Sequence, residues 1–340
     1  MEIGQASPEM MPGARNAVDV CLAIEPGENV TLITDRTSED VAASLAQALH
    51  ERRAHCHVYT LEDYAPRPLE HAPAEVLAAL EDADAGILCM HPLEGELTAR
   101  RDIVGVVERR HIRYAHMVGI TPQIMQEGMR ADYFKVDRLS ERLRERMLKA
   151  DTLRVTTDAG TSFTAHFTRA HDWVKTSGLI NPRYWSNLPA GEVFTTPATV
   201  DGRFVCDGSA GDHFNAKYGV LEATPLTLEI REARLVAAHC SRKDLEREFW
   251  EYCHTDKNSN RVGELAFGTN LNLTEFIGVL LQDEKFPGIH LAFGDPYGSQ
   301  THADWHSETH VDVLTRHCDV WIDDDQVMSQ GRYLMDHLGL

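Results

Sequence analysis

Short apolar runs alternate with helix-length segments through the first 120 residues, and this alternation restricts the fold more than any other feature of the chain. Residues 29–35 (NVTLITD), 55–60, 85–90 (AGILCM) and 111–117 read as strands. The stretches 39–53, 72–80 and 96–110 between them read as helices. Short apolar strands separated by helices of this length point to parallel β-α units with helices on both faces of the sheet. No G-x-G-x-x-G or G-x-x-x-x-G-K-[ST] follows any of these strands, so a dinucleotide or P-loop site has no support here.

A strongly charged helix over residues 137–150 then bridges to a different texture. From Thr152 onward the chain is β-rich (LRVTTD, SFTAHF, GEVFTTP, LTLEIREARLVAA), with Asp-Gly turns at Asp201-Gly202 and Asp207-Gly208. Helices are expected at 242–252 and 273–282. The expected architecture is an α/β N-terminal domain with a parallel sheet (1–150) plus a β-rich α+β C-terminal domain (151–340). At 340 residues the chain is long enough to give each a core.

Charge narrows the partners. Acidic residues outnumber Lys plus Arg by 53 to 33, a formal charge of −20. Such a surface repels phosphate backbones and anionic lipid, so no nucleic acid or membrane partner is expected. Solubility is the plainer reading of the same excess. No apolar run approaches the ~20 residues that span a bilayer. The stretch Met1-Glu2-Ile3-Gly4-Gln5 lacks the pattern of a secretory signal, so a cytoplasmic location is expected. Seven widely spaced cysteines with no C-x-x-C argue against a disulfide framework, a thiolate zinc site or an iron–sulfur cluster.

Chemistry concentrates near the C-terminus. In His310-Val311-Asp312, residues two apart share one face of a strand, so imidazole and carboxylate can grip one cation or two neighbouring ones. The motif is common by itself. Glu264 stands among glycines and apolar residues in GELAFGTN, His290 lies inside the apolar run FPGIHLAFG, and Glu192 follows a Pro-Ala-Gly turn in LPAGEVFTTP. Each has a plain alternative as a turn acid or a satisfied core histidine. As a set, two glutamates, two histidines and an aspartate exceed what one open tetrahedral site needs. They suit a pair of Zn, Co or Mn ions ~3.5–4 Å apart. Arg183, Tyr184 and Trp185 are candidates to line a pocket, and His166, His171, His302 and His306 are further polar candidates near these motifs.

In their order along the C-terminal half the motifs LPAGEVF, GELAFGTN, HLAFG and HVD resemble those of the aminopeptidase T family of dinuclear metallopeptidases, which includes aminopeptidase S. The resemblance implies metal ligation by Glu192, Glu264, His290, His310 and Asp312. It also implies a transition-state role for Tyr297, and that Glu264 or Glu192 doubles as general base. Which ligand holds which of the two divalent ions stays open. Further implications are hydrolysis of a small peptide or small-molecule amide, and a homodimer. This chain is shorter than the usual family member, and the stretch between His290 and His310 is trimmed, which leaves substrate choice open.

The iron-dependent 2,5-dihydroxypyridine dioxygenases are a second resemblance, through His310-Val311-Asp312 and the stretch CDVWIDD at 318–324. That alternative implies one Fe(II) held by two histidines and a carboxylate. Those enzymes carry a histidine where this chain has Glu264, and they lack counterparts of Glu192 and His290. The difference favours hydrolysis.

Overall fold

The computed structural model describes residues 4–340. Residues 1–3, part of the segment read above for a signal, lie outside it. The chain forms two compact units: one runs to Phe134 and takes back Gly178–Ala190, and the other comprises Lys135–Ser177 and Gly191–Leu340. The boundary expected near residue 150 thus falls inside the second unit. The charged helix, found at Tyr133–Met147, explains this, because its apolar face (Leu139, Leu143, Met147) belongs to the second unit's core.

In the first unit the strands β1 (Asn29–Thr34), β2 (His55–Thr60), β3 (Ala85–Met90) and β4 (Arg113–Val118) pair in parallel in the order β2-β1-β3-β4. A two-residue strand, Ser186–Asn187, adds to β4. The helices Glu39–Glu51, Ala74–Glu81 and Leu97–Arg110 are the crossovers. Every residue of β3 is buried, the signature of a central strand covered on both faces. At the carboxyl ends of β1 and β3, where the strand order reverses, the guanidinium of Arg67 is buried and paired with Asp35 and Glu96. Asp35 also accepts from the amides of Ser38 and His91.

The second unit is built from two antiparallel sheets. The larger contains β5 (Thr152–Thr156), β6 (Ser162–His166), β9 (Thr199–Cys206), β10 (Leu226–Arg231), β11 (Arg234–His239), β15 (Asp319–Ile322), β16 (Asp325–Ser329) and β17 (Arg332–Tyr333), in the order β11-β10-β9-β6-β5-β15-β16-β17. The smaller contains β7 (Val174–Thr176), β8 (Glu192–Thr195), β12 (Val262–Gly268), β13 (Gly288–Gly294) and β14 (His310–Leu314), in the order β14-β13-β12-β8-β7. Strands β10 and β11 form a hairpin whose two turn residues, Glu232 and Ala233, both have positive φ, as a tight hairpin turn demands.

The helix Lys243–Tyr252 lies close to its expected place, but the one expected over 273–282 shrinks to Leu280–Asp283. Gly278 adopts φ +78°, and the buried Asp283 carboxylate takes the amide hydrogens of Ile277 and Gly278 that a helix would have used. Among the described residues no helix is long and apolar enough to cross a membrane.

Candidate metal centre

Alternation along the small sheet divides its residues into two sets. Val193, Leu265, Phe267, Ile289, Leu291, Phe293, Val311 and Val313 point to one side and belong to the unit's main apolar core. The intervening positions share the other face, and these include Glu192, Glu264, His290, His310 and Asp312. The pairing aligns Glu264 with Ala292 and Asp312 in one row, and Phe194 with Ala266, His290 and Leu314 in the next. Alanines stand between the polar side chains, so four strands converge their ligand-type groups without crowding. A one-residue slip of any strand would send its polar side chains into the core, so burial itself enforces the register.

Loops fix the ends of these strands. Gly191 has φ +130°, and a Cβ there would meet the Asn270 backbone at 2.9 Å. Gly294, at φ +110°, would press a Cβ to 2.0 Å from the Thr309 carbonyl oxygen. Both positions demand glycine, and they adjoin Glu192 and face His310 respectively.

Four of the five groups are nearly inaccessible: Glu192 is 6%, Glu264 4%, His290 2% and Asp312 3% exposed. His290 Nε2 lies 3.0 Å from Glu192 Oε1, 3.3 Å from Glu264 Oε1 and 4.0 Å from Asp312 Oδ1. Although two of these distances are short, the buried nitrogen forms no hydrogen bond. The ligand atoms of Glu192, Glu264 and His290 fall within 4.8 Å of one another. His310 Nε2 lies 3.5 Å from Asp312 Oδ2. Its Nδ1 is 2.9 Å from the carbonyl oxygen of Asp295, which can only accept. Nδ1 therefore carries a proton, which leaves Nε2, beside Asp312, as the ring atom that could turn to a cation.

Three carboxylates and two imidazoles in a dry site strain every titration. Burial favours neutral imidazoles, but Glu192 and Glu264 outweigh it and push metal-free His290 up to about 10, and Asp312 does the same for His310. Burial and the nearby Glu192 raise Glu264 above the usual carboxylate range. For Glu192 burial acts upward too, yet the Lys285 ammonium and His290 hold it down at about 2. Concentrated negative charge around a buried imidazole is what a divalent cation would neutralise, and the hard oxygen and borderline nitrogen donors fit one.

Tyr297 sits at the rim. Its backbone is left-handed (φ 50°, ψ 50°), and its amide donates to Asp295 Oδ1 at 3.0 Å. The ring lies 4.5 Å from that of His310 and meets Phe194 edge-on. The residue is 42% exposed overall, but desolvation of its phenol and the surrounding carboxylates raise that group above its usual 10, so it stays protonated.

The remaining candidates lie elsewhere. Trp185 packs against Tyr114 and His116 and donates to Glu108, and Arg183 and Tyr184 are exposed. His171 bonds the Thr196 carbonyl, His302 pairs with Asp172, and His166 is exposed at the end of β6. His306 contacts Asp295 rather than the cluster. Sequence reasoning missed Lys285 and Glu284. The ammonium of Lys285, 2% exposed, lies 2.7 Å from Glu192 Oε2 and 2.6 Å from Glu284 Oε1. The available signal was a Glu-Lys pair placed just before the apolar run that carries His290.

Residues 112–328 match the family model described as thermophilic metalloprotease (M29). The chain belongs to this family. It is accordingly a metal-dependent hydrolase of the aminopeptidase T type, in line with the sequence resemblance. No curated protein sequence matches the chain. The M29 chain is similar in structure to AmpT from Thermus thermophilus, with TM-score 0.69, 16% identity, and coverage of 96% of this chain and 99% of that one. It is equally similar to a 2,5-dihydroxypyridine dioxygenase from Pseudomonas putida KT2440, with TM-score 0.69, 15% identity, and coverage of 95% and 96%. At such identities both likenesses establish a shared fold and leave the chemistry to the site.

Proposed function

We propose that this M29 chain is a dinuclear metallohydrolase that removes an N-terminal residue from a small peptide or cleaves a small-molecule amide, with Glu192, Glu264, His290, His310 and Asp312 as its ligands. The observation that carries the reading is the buried His290 Nε2, without a hydrogen bond, facing three carboxylates on one sheet face. Five ligand-type groups suit two ions of Zn, Co or Mn, which when bound would lower the pKa of water and polarise a carbonyl. Glu264 is the carboxylate that in this reading receives the proton of the attacking water. That proton then passes to the leaving amine nitrogen as the C–N bond breaks. Tyr297, protonated and beside His310, donates a hydrogen bond to the oxygen that becomes negative. Glu264 stands where the dioxygenase reading needs a histidine. A homodimer accompanies this reading through the family resemblance.

The test is metal analysis of protein purified without chelator, with a panel of aminoacyl amides, dipeptides and heterocyclic amides. Two Zn, Co or Mn ions per chain, with hydrolysis abolished in Glu264→Ala, is the expected result. One iron per chain with oxygen uptake on a dihydroxypyridine would sink it.

A further inference from the structure

The two oxygens of Glu192 face different surroundings. Oε1 looks onto His290 Nε2 at 3.0 Å, whereas Oε2 accepts from Lys285 Nζ at 2.7 Å and from Thr176 Oγ1 at 3.4 Å. The ammonium is pinned from its other side by Glu284 Oε1 at 2.6 Å, so it has no free swing. We propose that Lys285 is a positioning residue that restricts Glu192 to metal ligation through one oxygen, Oε1. The inference rests on the metal-site reading above and concerns how that site is wired.

The argument is electrostatic and geometric. A carboxylate that chelates one ion, or bridges two, must offer both oxygens. An ammonium within hydrogen-bonding distance of Oε2 repels any divalent cation approaching that atom, and in a buried site the repulsion is weakly screened. Lysine suits the task because its compact charge carries several donors, here divided between Glu192 and Glu284. With Glu192 so committed, a carboxylate shared between two ions would have to come from Glu264 or Asp312. These two flank Ala292 in one row of the sheet. The position of a metal's own ligand would then depend on a residue that never touches the metal, the usual logic of a supporting shell.

A merely structural lysine, present to balance buried acids, would leave the metal's coordination unchanged when replaced. The test therefore reads coordination. Cobalt(II) is loaded into wild-type protein and Lys285→Met, and the visible d–d bands are compared at equal metal content, with melting curves to show that both are folded. Release of Oε2 should add a ligand oxygen and weaken those bands in the variant. A folded Lys285→Met with the wild-type cobalt spectrum overturns the proposal. Because the substitution leaves two acids without their cation, folding is not guaranteed, and a crystal structure of cobalt-loaded wild type decides independently. Glu192 bound through Oε1 alone, with Lys285 on Oε2, is the expected arrangement; Glu192 chelating or spanning two ions overturns it. Wild-type protein that takes up no cobalt would fail at the metal-site reading itself, a result distinguishable from both.

Discussion

At the scale of single residues, the division of labour in the cluster follows from what each atom faces. Tyr297 is separable from metal binding, since no ligand-type atom depends on its phenol. Tyr297→Phe keeps the ring contact with His310 and Phe194 and removes only the donor. It should lower kcat by roughly 10²–10³-fold, the usual cost of one oxyanion donor, with metal content unchanged. Steady-state kinetics beside metal analysis checks this, and an unaltered kcat would remove the tyrosine from the mechanism. Glu264→Gln should also abolish turnover, but with weakened metal uptake, because it takes charge from the cluster as well as a base.

At the scale of elements, the small sheet performs two tasks through one alternation, and each face can be perturbed separately. Ala292 lies between Glu264 and Asp312 on the polar face. Ala292→Leu should leave the core face intact while its larger side chain pushes the ligands beside it apart. The expected outcome is loss of bound metal with a melting temperature close to that of metal-free wild type. Gly294→Ala acts on the backbone instead. With φ at +110° and the Thr309 carbonyl oxygen 2.0 Å from the new Cβ, the pairing of Gly294 with His310 must shift. A destabilisation of about 1–3 kcal/mol is expected, measurable in denaturant titrations. The two variants separate damage to the site from damage to its scaffold.

At the scale of the whole molecule, acid should expose the first unit's buried polar groups. Burial, with Arg100 nearby, presses His116 from 6.5 down to about 3. Glu96 is held below 4.5, since the Arg67 guanidinium and two backbone amides outweigh its burial. Both native values lie below their unfolded counterparts, so the unfolded chain takes up protons first. The stability they contribute is therefore full above pH 6.5. It is lost as pH falls, through His116 between 6.5 and about 3 and through Glu96 below 4.5. Thermal melts of wild type and His116→Phe between pH 7 and 4 should converge as pH falls below 6.5. A constant gap between the curves would contradict the shifted histidine. Metal acts across the molecule too: ligand at 100 times its Kd adds about 2.7 kcal/mol to the folded state, so a chelator should lower the melting temperature.

How much of this was legible beforehand follows from which signals are local. The parallel sheet announced itself because each strand of the first unit is a short apolar run bounded by a helix, and local hydrophobic pattern carries that information. The ligand-type residues stood out as polar positions inside apolar strands, where burial without purpose is costly. Only the tertiary structure decided that four separate strands align them on one face, because register between distant strands depends on the core beneath. The failure of the 273–282 helix and the role of Lys285 are of the same kind. Asp283 takes the amides of Ile277 and Gly278, and Lys285 lies 93 residues from the carboxylate it holds. Contacts across such separations are set by how strands stack, which no stretch of sequence read alone contains.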